Sequence, residues 1–201
     1  MNSLKPNQLI LFLFIFQFYF SQNRNISAPF SINIGANVID SSGEQNPTNL
    51  LSSFDEKIAY GLPFEVGLSY EISDKIGVFS NLSLNTFQEG KNLDGIFLSE
   101  ELSYWSLDLG ARYYFYVLPF SRDSYIEFYG HGGLGVFNIQ NISLTGNAGV
   151  GARYWINPAI GIYANSAGKF AFDNKFIQSN HYQYALGLII RFNGNRYCNC
   201  F

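Results

Sequence analysis

His131, His181, Cys198, Cys200 and a glycine-rich hexapeptide are the residues of this 201-residue chain whose types could do chemistry. A histidine works as a general base when a hydroxyl or carboxylate stands within hydrogen-bond reach. Ser179 is the nearest such group to His181 in sequence. Gly130-His131-Gly132-Gly133-Leu134-Gly135 satisfies G-x-G-x-x-G. That pattern cradles a dinucleotide only where it joins a strand to a helix, and no helical period follows it here. The glycines read instead as clearance inside a strand, and no cofactor is expected. Cys198-x-Cys200 would need further ligands to hold a metal, and both histidines lie on other segments. A disulfide between such close neighbours would be strained, which leaves a bond to a partner or a plain tail. Asn81 and Asn141 open Asn-x-Ser triplets, a pattern too short to carry weight by itself.

Charges form the second set. Glu65, Glu71, Asp108, Arg112, Glu127, Arg153 and Arg191 all fall on the polar parity of alternating segments. Alternation with a period of two makes a strand with two unlike faces. The clearest case is His181 to Phe192. Tyr182, Tyr184, Leu186, Leu188, Ile190 and Phe192 oppose His181, Gln183, Ala185, Gly187 and Arg191, with Ile189 as the exception. The apolar set has aromatics at both ends and aliphatics between, as a bilayer requires of a spanning strand.

The same alternation positions the other charges. It recurs over Phe30–Ile39, Leu62–Ile72, Ile76–Thr86, Trp105–Phe115, Tyr125–Phe137, Leu144–Ile156 and, more weakly, Ala159–Gly168. Phe79 and Ser80 break it in the third segment. Connections at Ser73, Leu118 and Asn157 are short, those at Asp40, Gln88 and Phe170 are long, and the one near Asn138 departs from the rule. Eight strands with alternating short turns and long loops describe a bacterial outer-membrane barrel. The predicted fold is all-β, an eight-stranded antiparallel up-and-down transmembrane β-barrel.

Composition agrees. Charged residues make up 13%, the net charge is −3 and aromatics reach 18%, which exclude both a basic nucleic-acid face and a disordered chain. Lys5 followed by the apolar run from Leu9 to Phe20 is too short for a spanning helix and suits a secretory signal. Residues 1–21 are predicted to be a signal peptide. Residues 22–201 are predicted to be the barrel domain, with a short periplasmic tail after residue 192.

The segments GANVIDSSG, PFEVGLSYEISDKIGVFSNLSLN, SLDLGARYYF, YGHGGLGVF, NAGVGARYWINPAIGIYANSAGKFAFD and HYQYALGLIIRF together resemble the amino-terminal barrel of OmpA-family proteins. The resemblance implies a barrel without catalytic activity. It does not extend to the peptidoglycan-binding domain of larger relatives, so cell-wall tethering is not expected of this chain. Gly187, Ile190 and Phe192 sit where the resemblance places the signal read by the outer-membrane assembly machinery. The expected partners are that machinery and outer-membrane lipids, with the chain as a monomer and no nucleic acid involved.

The expected function is non-enzymatic: envelope integrity, or surface interaction through the outer loops. The alternative is a small outer-membrane lipid-modifying enzyme using His181 or His131. A soluble periplasmic barrel for an apolar ligand fits poorly, because the inward face is too polar. Eight strands enclose an interior just wide enough to be filled by side chains. With Tyr129, Phe137, Trp155 and Tyr163 pointing inward, no general-diffusion pore is expected. Counting back from the turns puts Arg112, Glu127 and Arg153 at one depth. Glu127 is expected to bridge the two arginines, with Asp108 one step further out, as a structural charge cluster.

Overall fold

The computed structural model describes residues 30–40, 58–93, 96–115, 125–172 and 180–192. The signal segment, Ser179 and the tail carrying Cys198 and Cys200 lie outside the described residues. The elements are β1 (Phe30–Asp40), β2 (Ile58–Ala59), β3 (Phe64–Glu71), β4 (Ile76–Phe87), β5 (Asn92–Leu93), β6 (Ile96–Phe97), β7 (Leu102–Phe115), β8 (Ile126–Asn138), β9 (Ile142–Trp155), β10 (Ile160–Ala171) and β11 (Asn180–Arg191). Among the described residues there is no helix.

The long strands pair in the order β1-β3-β4-β7-β8-β9-β10-β11, all antiparallel, and β11 returns to pair with β1. Eight strands therefore close into an up-and-down barrel that leaves no open edge. The short β2 extends the sheet beside the end of β1, and β5 with β6 forms a separate small hairpin. At the closing seam Gly35 faces Gly187. A Cβ on Gly35 would stand 2.9 Å from the Gly187 Cα and 2.7 Å from the Tyr163 hydroxyl, so only glycine lets the seam come together.

One end of the barrel carries tight turns. Ser73 Oγ accepts the amides of Lys75 and Ile76 at 3.3 and 3.1 Å. Asn157 Oδ1 accepts those of Ala159 and Ile160 at 2.9 and 2.8 Å, ahead of β10. Such side-chain acceptors mimic a backbone turn and fix its register. At the opposite, loop end lie the β5–β6 hairpin and the short connection from β8 to β9.

The two faces differ as the parity predicts. Leu134, Val150, Leu144 and Leu186 are each more than 60% exposed on the outer face, at 64%, 63%, 61% and 61%. Exposed aromatics ring the turn end (Phe30, Tyr70, Tyr113, Phe115, Tyr154) and the loop end (Phe64, Phe170, Phe172). The inner face carries the charges. Of the charged residues in the described strands, only Asp40, the last residue of β1, falls on the outer parity, and it is itself buried.

Several local expectations shift. The seventh span is not weak: β10 runs three residues past Gly168, so Lys169 is part of a strand. Phe79 and Ser80 do not break the alternation. Phe79 is buried in the lumen and Ser80 faces outward. In the glycine hexapeptide only part of the clearance is interior. Gly133 and Gly135 point inward, and a Cβ on Gly135 would lie 2.7 Å from Asn147 Nδ2. Gly130 and Gly132 are on the outer face, with the Phe115 ring over Gly130 at 3.1 Å from a would-be Cβ. The reason is parity: a run of glycines cannot all face one side of a strand.

Candidate functional site

The lumen is the place where functional groups converge, and its side chains form three polar tiers beneath an apolar cap. The tier at the turn end is ionic. Arg153 Nη1 donates to Glu71 Oε1 at 2.8 Å, and the Tyr114 hydroxyl donates to the same oxygen at 2.7 Å. Glu71 reaches across because its neighbour on β4 is Gly77, where a Cβ would lie 2.5 Å from Glu71 Oε2. Glu127 stands 3.8 Å from Arg153 and 3.8 Å from Arg191, whose guanidinium stacks over Trp155 at 3.7 Å. Arg112 donates to Ser69 Oγ at 2.5 Å and lies over the rings of Phe79 and Tyr129 at 4.5 and 5.2 Å. Hydrogen bonds and aromatic faces replace the hydration these cations give up.

The middle tier is built on Glu65. Gln183 Nε2 donates to it at 2.9 Å, and the Ser83 and Tyr163 hydroxyls donate at 3.2 Å each. Above it Lys169 directs its ammonium to Asp108 Oδ2 at 2.7 Å, Ser106 Oγ at 2.7 Å and the Tyr104 hydroxyl at 3.2 Å. Asn147 Nδ2 donates to the other Asp108 oxygen at 2.7 Å. His181 Nε2 lies 2.9 Å from the Tyr104 hydroxyl, its ring edge-on to Tyr104 and Phe137. Ile39, Ala59, Phe87, Leu102, Tyr104 and Phe137 then close the loop end as one apolar cluster.

No family model and no curated protein matches the sequence. The structure does find neighbours. It superposes on Neisserial surface protein A with a TM-score of 0.56 and 14% identity, over 81% of this chain and 97% of that one. The outer membrane protein OprG from Pseudomonas aeruginosa gives a TM-score of 0.58 at 13% identity, over 83% and 96%. The N-terminal β-barrel domain of Pseudomonas aeruginosa OprF gives 0.50 at 15% identity, over 81% and 97%. The fold is that of an eight-stranded outer-membrane barrel. At these identities the likeness is one of fold.

Within this outer-membrane barrel the four residues singled out from the sequence divide between two tiers. Glu127 and Arg153 are directly opposite across β8 and β9 and approach to 3.8 Å. Arg112 is opposite His131, four residues along β8 from Glu127, and bonds to Ser69. At about 3.3 Å per residue that offset is roughly 13 Å, too far for a bridge. The acidic centre differs from the expected one as well, since Glu71 holds Arg153 at the shorter distance. Asp108 stands in the loop-end tier with Lys169.

Lys169 and Tyr104 are the interior residues that sequence reasoning passes over. Both continue the inward parity of their strands, Lys169 one residue past Gly168 and Tyr104 one residue before Trp105. Extending each alternation to its last matching residue finds them. Of the two histidines, His181 is buried against Tyr104 and is 2% exposed. His131 lies in the lumen edge-on to Phe79.

Proposed function

We propose that this chain is an exported, monomeric and non-enzymatic barrel of a Gram-negative outer membrane. Residues 1–21 serve as its cleaved signal peptide, and the loops opposite the tight turns face the outside of the cell. Its role is envelope integrity or surface interaction through those loops. The observation that carries this reading is the division between faces. An uncharged aliphatic belt with aromatic margins points outward, and ion pairs and aromatic rings fill the inside. A charge at the bilayer midplane of the outer face would cost about 2–4 kcal/mol, whereas the same residues inside are hydrogen-bonded.

A non-enzymatic role is supported by the histidines. His181 is bound to Tyr104 behind the apolar cap, and His131 lies on the inner face edge-on to Phe79, so neither is offered to a lipid ester on the outer face. Assembly is assigned to the last strand, where Ile190 and Phe192 are exposed on the outer face and Gly187 completes the seam. Fractionation of cells expressing the full chain tests the reading. The mature protein is expected in the outer-membrane pellet, extracted by detergent. Recovery from the soluble periplasm would overturn it. In the same strain, lipid A and phospholipid profiles are expected to be identical for wild type, His131→Ala and His181→Ala.

A further inference from the structure

The charges of the lumen cancel. Glu65, Glu71, Asp108 and Glu127 point inward, and so do Arg112, Arg153, Lys169 and Arg191. Midway along it, between the ionic tier and the apolar cap, is a cavity of about 20 Å³. Its charged walls are already engaged. Glu65 accepts from Ser83, Tyr163 and Gln183, and the Lys169 ammonium donates to Asp108, Ser106 and Tyr104. A cation placed there would meet that ammonium, and also the Arg112 guanidinium stacked on Phe79 at 4.5 Å. An anion would meet the Glu65 and Asp108 carboxylates. The guest that such walls admit is neutral.

The remaining polar walls ask for hydrogen bonds. Asn147 gives its NH2 to Asp108, and Gln183 gives its NH2 to Glu65 and Ser83, so neither amide can be turned round. Asn147 Oδ1 and Gln183 Oε1 are left as acceptors to which no described residue donates. Both side chains are more than nine-tenths buried, at 8% and 5% exposure. Asn81, Asn165 and His131 line the same space. An amide can turn over and an imidazole can carry its proton on either nitrogen. These three can therefore bond to one another and still present an N–H or a lone pair to a guest. The guest must donate twice, to Asn147 and Gln183, and can accept in return. Water does both. The volume takes one water, or two at most, and a buried water makes about three hydrogen bonds.

We infer that the middle of the lumen is a binding site for an ordered water, which donates to Asn147 Oδ1 and Gln183 Oε1 and accepts from the adaptable side chains beside them. Asn147 is on β9 and Gln183 on β11, and β10 stands between those strands in the sheet. No backbone ladder joins β9 to β11, so the water links them from within the barrel.

A crystal structure of the full mature chain, at a resolution that places solvent, tests this. A density peak is expected at hydrogen-bond distance, about 2.8 Å, from both Asn147 Oδ1 and Gln183 Oε1. Ala167 borders the same cavity and is buried. Ala167→Val puts carbon into the space, so the peak is expected to be lost. The urea midpoint is expected to fall with it, because both amide oxygens lose their donor. If the valine variant does not refold, Ala167→Cys, which adds one atom, is measured in its place with the same expectation. A wild-type cavity with no peak, or with a peak at the shorter contacts of a metal ion, overturns the inference. So does a urea midpoint that rises in the variant, as filling a dry cavity would give.

Discussion

Lys169→Met removes one charge from the loop-end tier while keeping the length of the side chain. In the wild type Asp108 accepts from Lys169 at 2.7 Å and from Asn147 at 2.7 Å, with Ser106 Oγ at 3.5 Å. Both ionic side chains are enclosed, Lys169 at 2% and Asp108 at 10% side-chain exposure. After the substitution a carboxylate remains in the lumen with two neutral donors. Removing one partner of a buried pair typically costs about 3–5 kcal/mol, because the remaining charge has lost its compensation. With a urea slope of about 2 kcal/mol per M, the unfolding midpoint falls by about 1.5–2.5 M. The assay is urea unfolding in lipid vesicles, followed by tryptophan fluorescence and by the mobility difference between folded and heat-denatured barrel. Asp108→Leu combined with Lys169→Met removes both charges and is expected to recover most of the loss. A single-variant loss below about 1 kcal/mol, or a double variant no better than the single, would mean that the two groups are not a dry pair.

Further outcomes follow from the same geometry. Glu71→Gln is expected to destabilise the barrel, since Glu71 holds Arg153 at 2.8 Å and accepts from Tyr114 at 2.7 Å; urea titration against wild type decides it. Leu134→Arg, on the outer face, is expected to cost about 2–4 kcal/mol in the same titration. Pure protein in planar bilayers is expected to give no large, stable single-channel conductance, because the apolar cluster around Phe87 and Phe137 and the ionic tier around Arg153 both block the lumen.

How far the sequence reveals this structure depends on what each residue has to satisfy. Parity is legible because each span meets lipid on one side and a polar lumen on the other, so Glu65, Asp108 and Arg153 could be assigned a face from alternation alone. Depth is not legible in the same way. The pairing of Arg112 with His131, rather than with a residue nearer Glu127, is set by the offset between β7 and β8, and no side chain records that offset. Partners chosen from several strands away are harder still: Glu71 on β3 meets Arg153 on β9 across the lumen. Ending a strand at a glycine hid Lys169, because a loop-like composition follows it immediately. Gly130 and Gly132 were ambiguous because glycine carries no polarity by which to choose a face.

The pairing of β1 with β11 sets the order in which events can occur during folding. β1 is among the first parts of the barrel to be synthesised, and its partner is the last. Until Asn180–Arg191 arrives, β1 presents a bare row of amides and carbonyls along one side, and β10 presents another. Contacts so distant in sequence form slowly, and unpaired edges recruit other strands while they wait. Its moment of greatest vulnerability is therefore the interval before the final hairpin zips. A truncation that removes β11 would cost more than one strand: it would leave a sheet with two adhesive margins and no way to close.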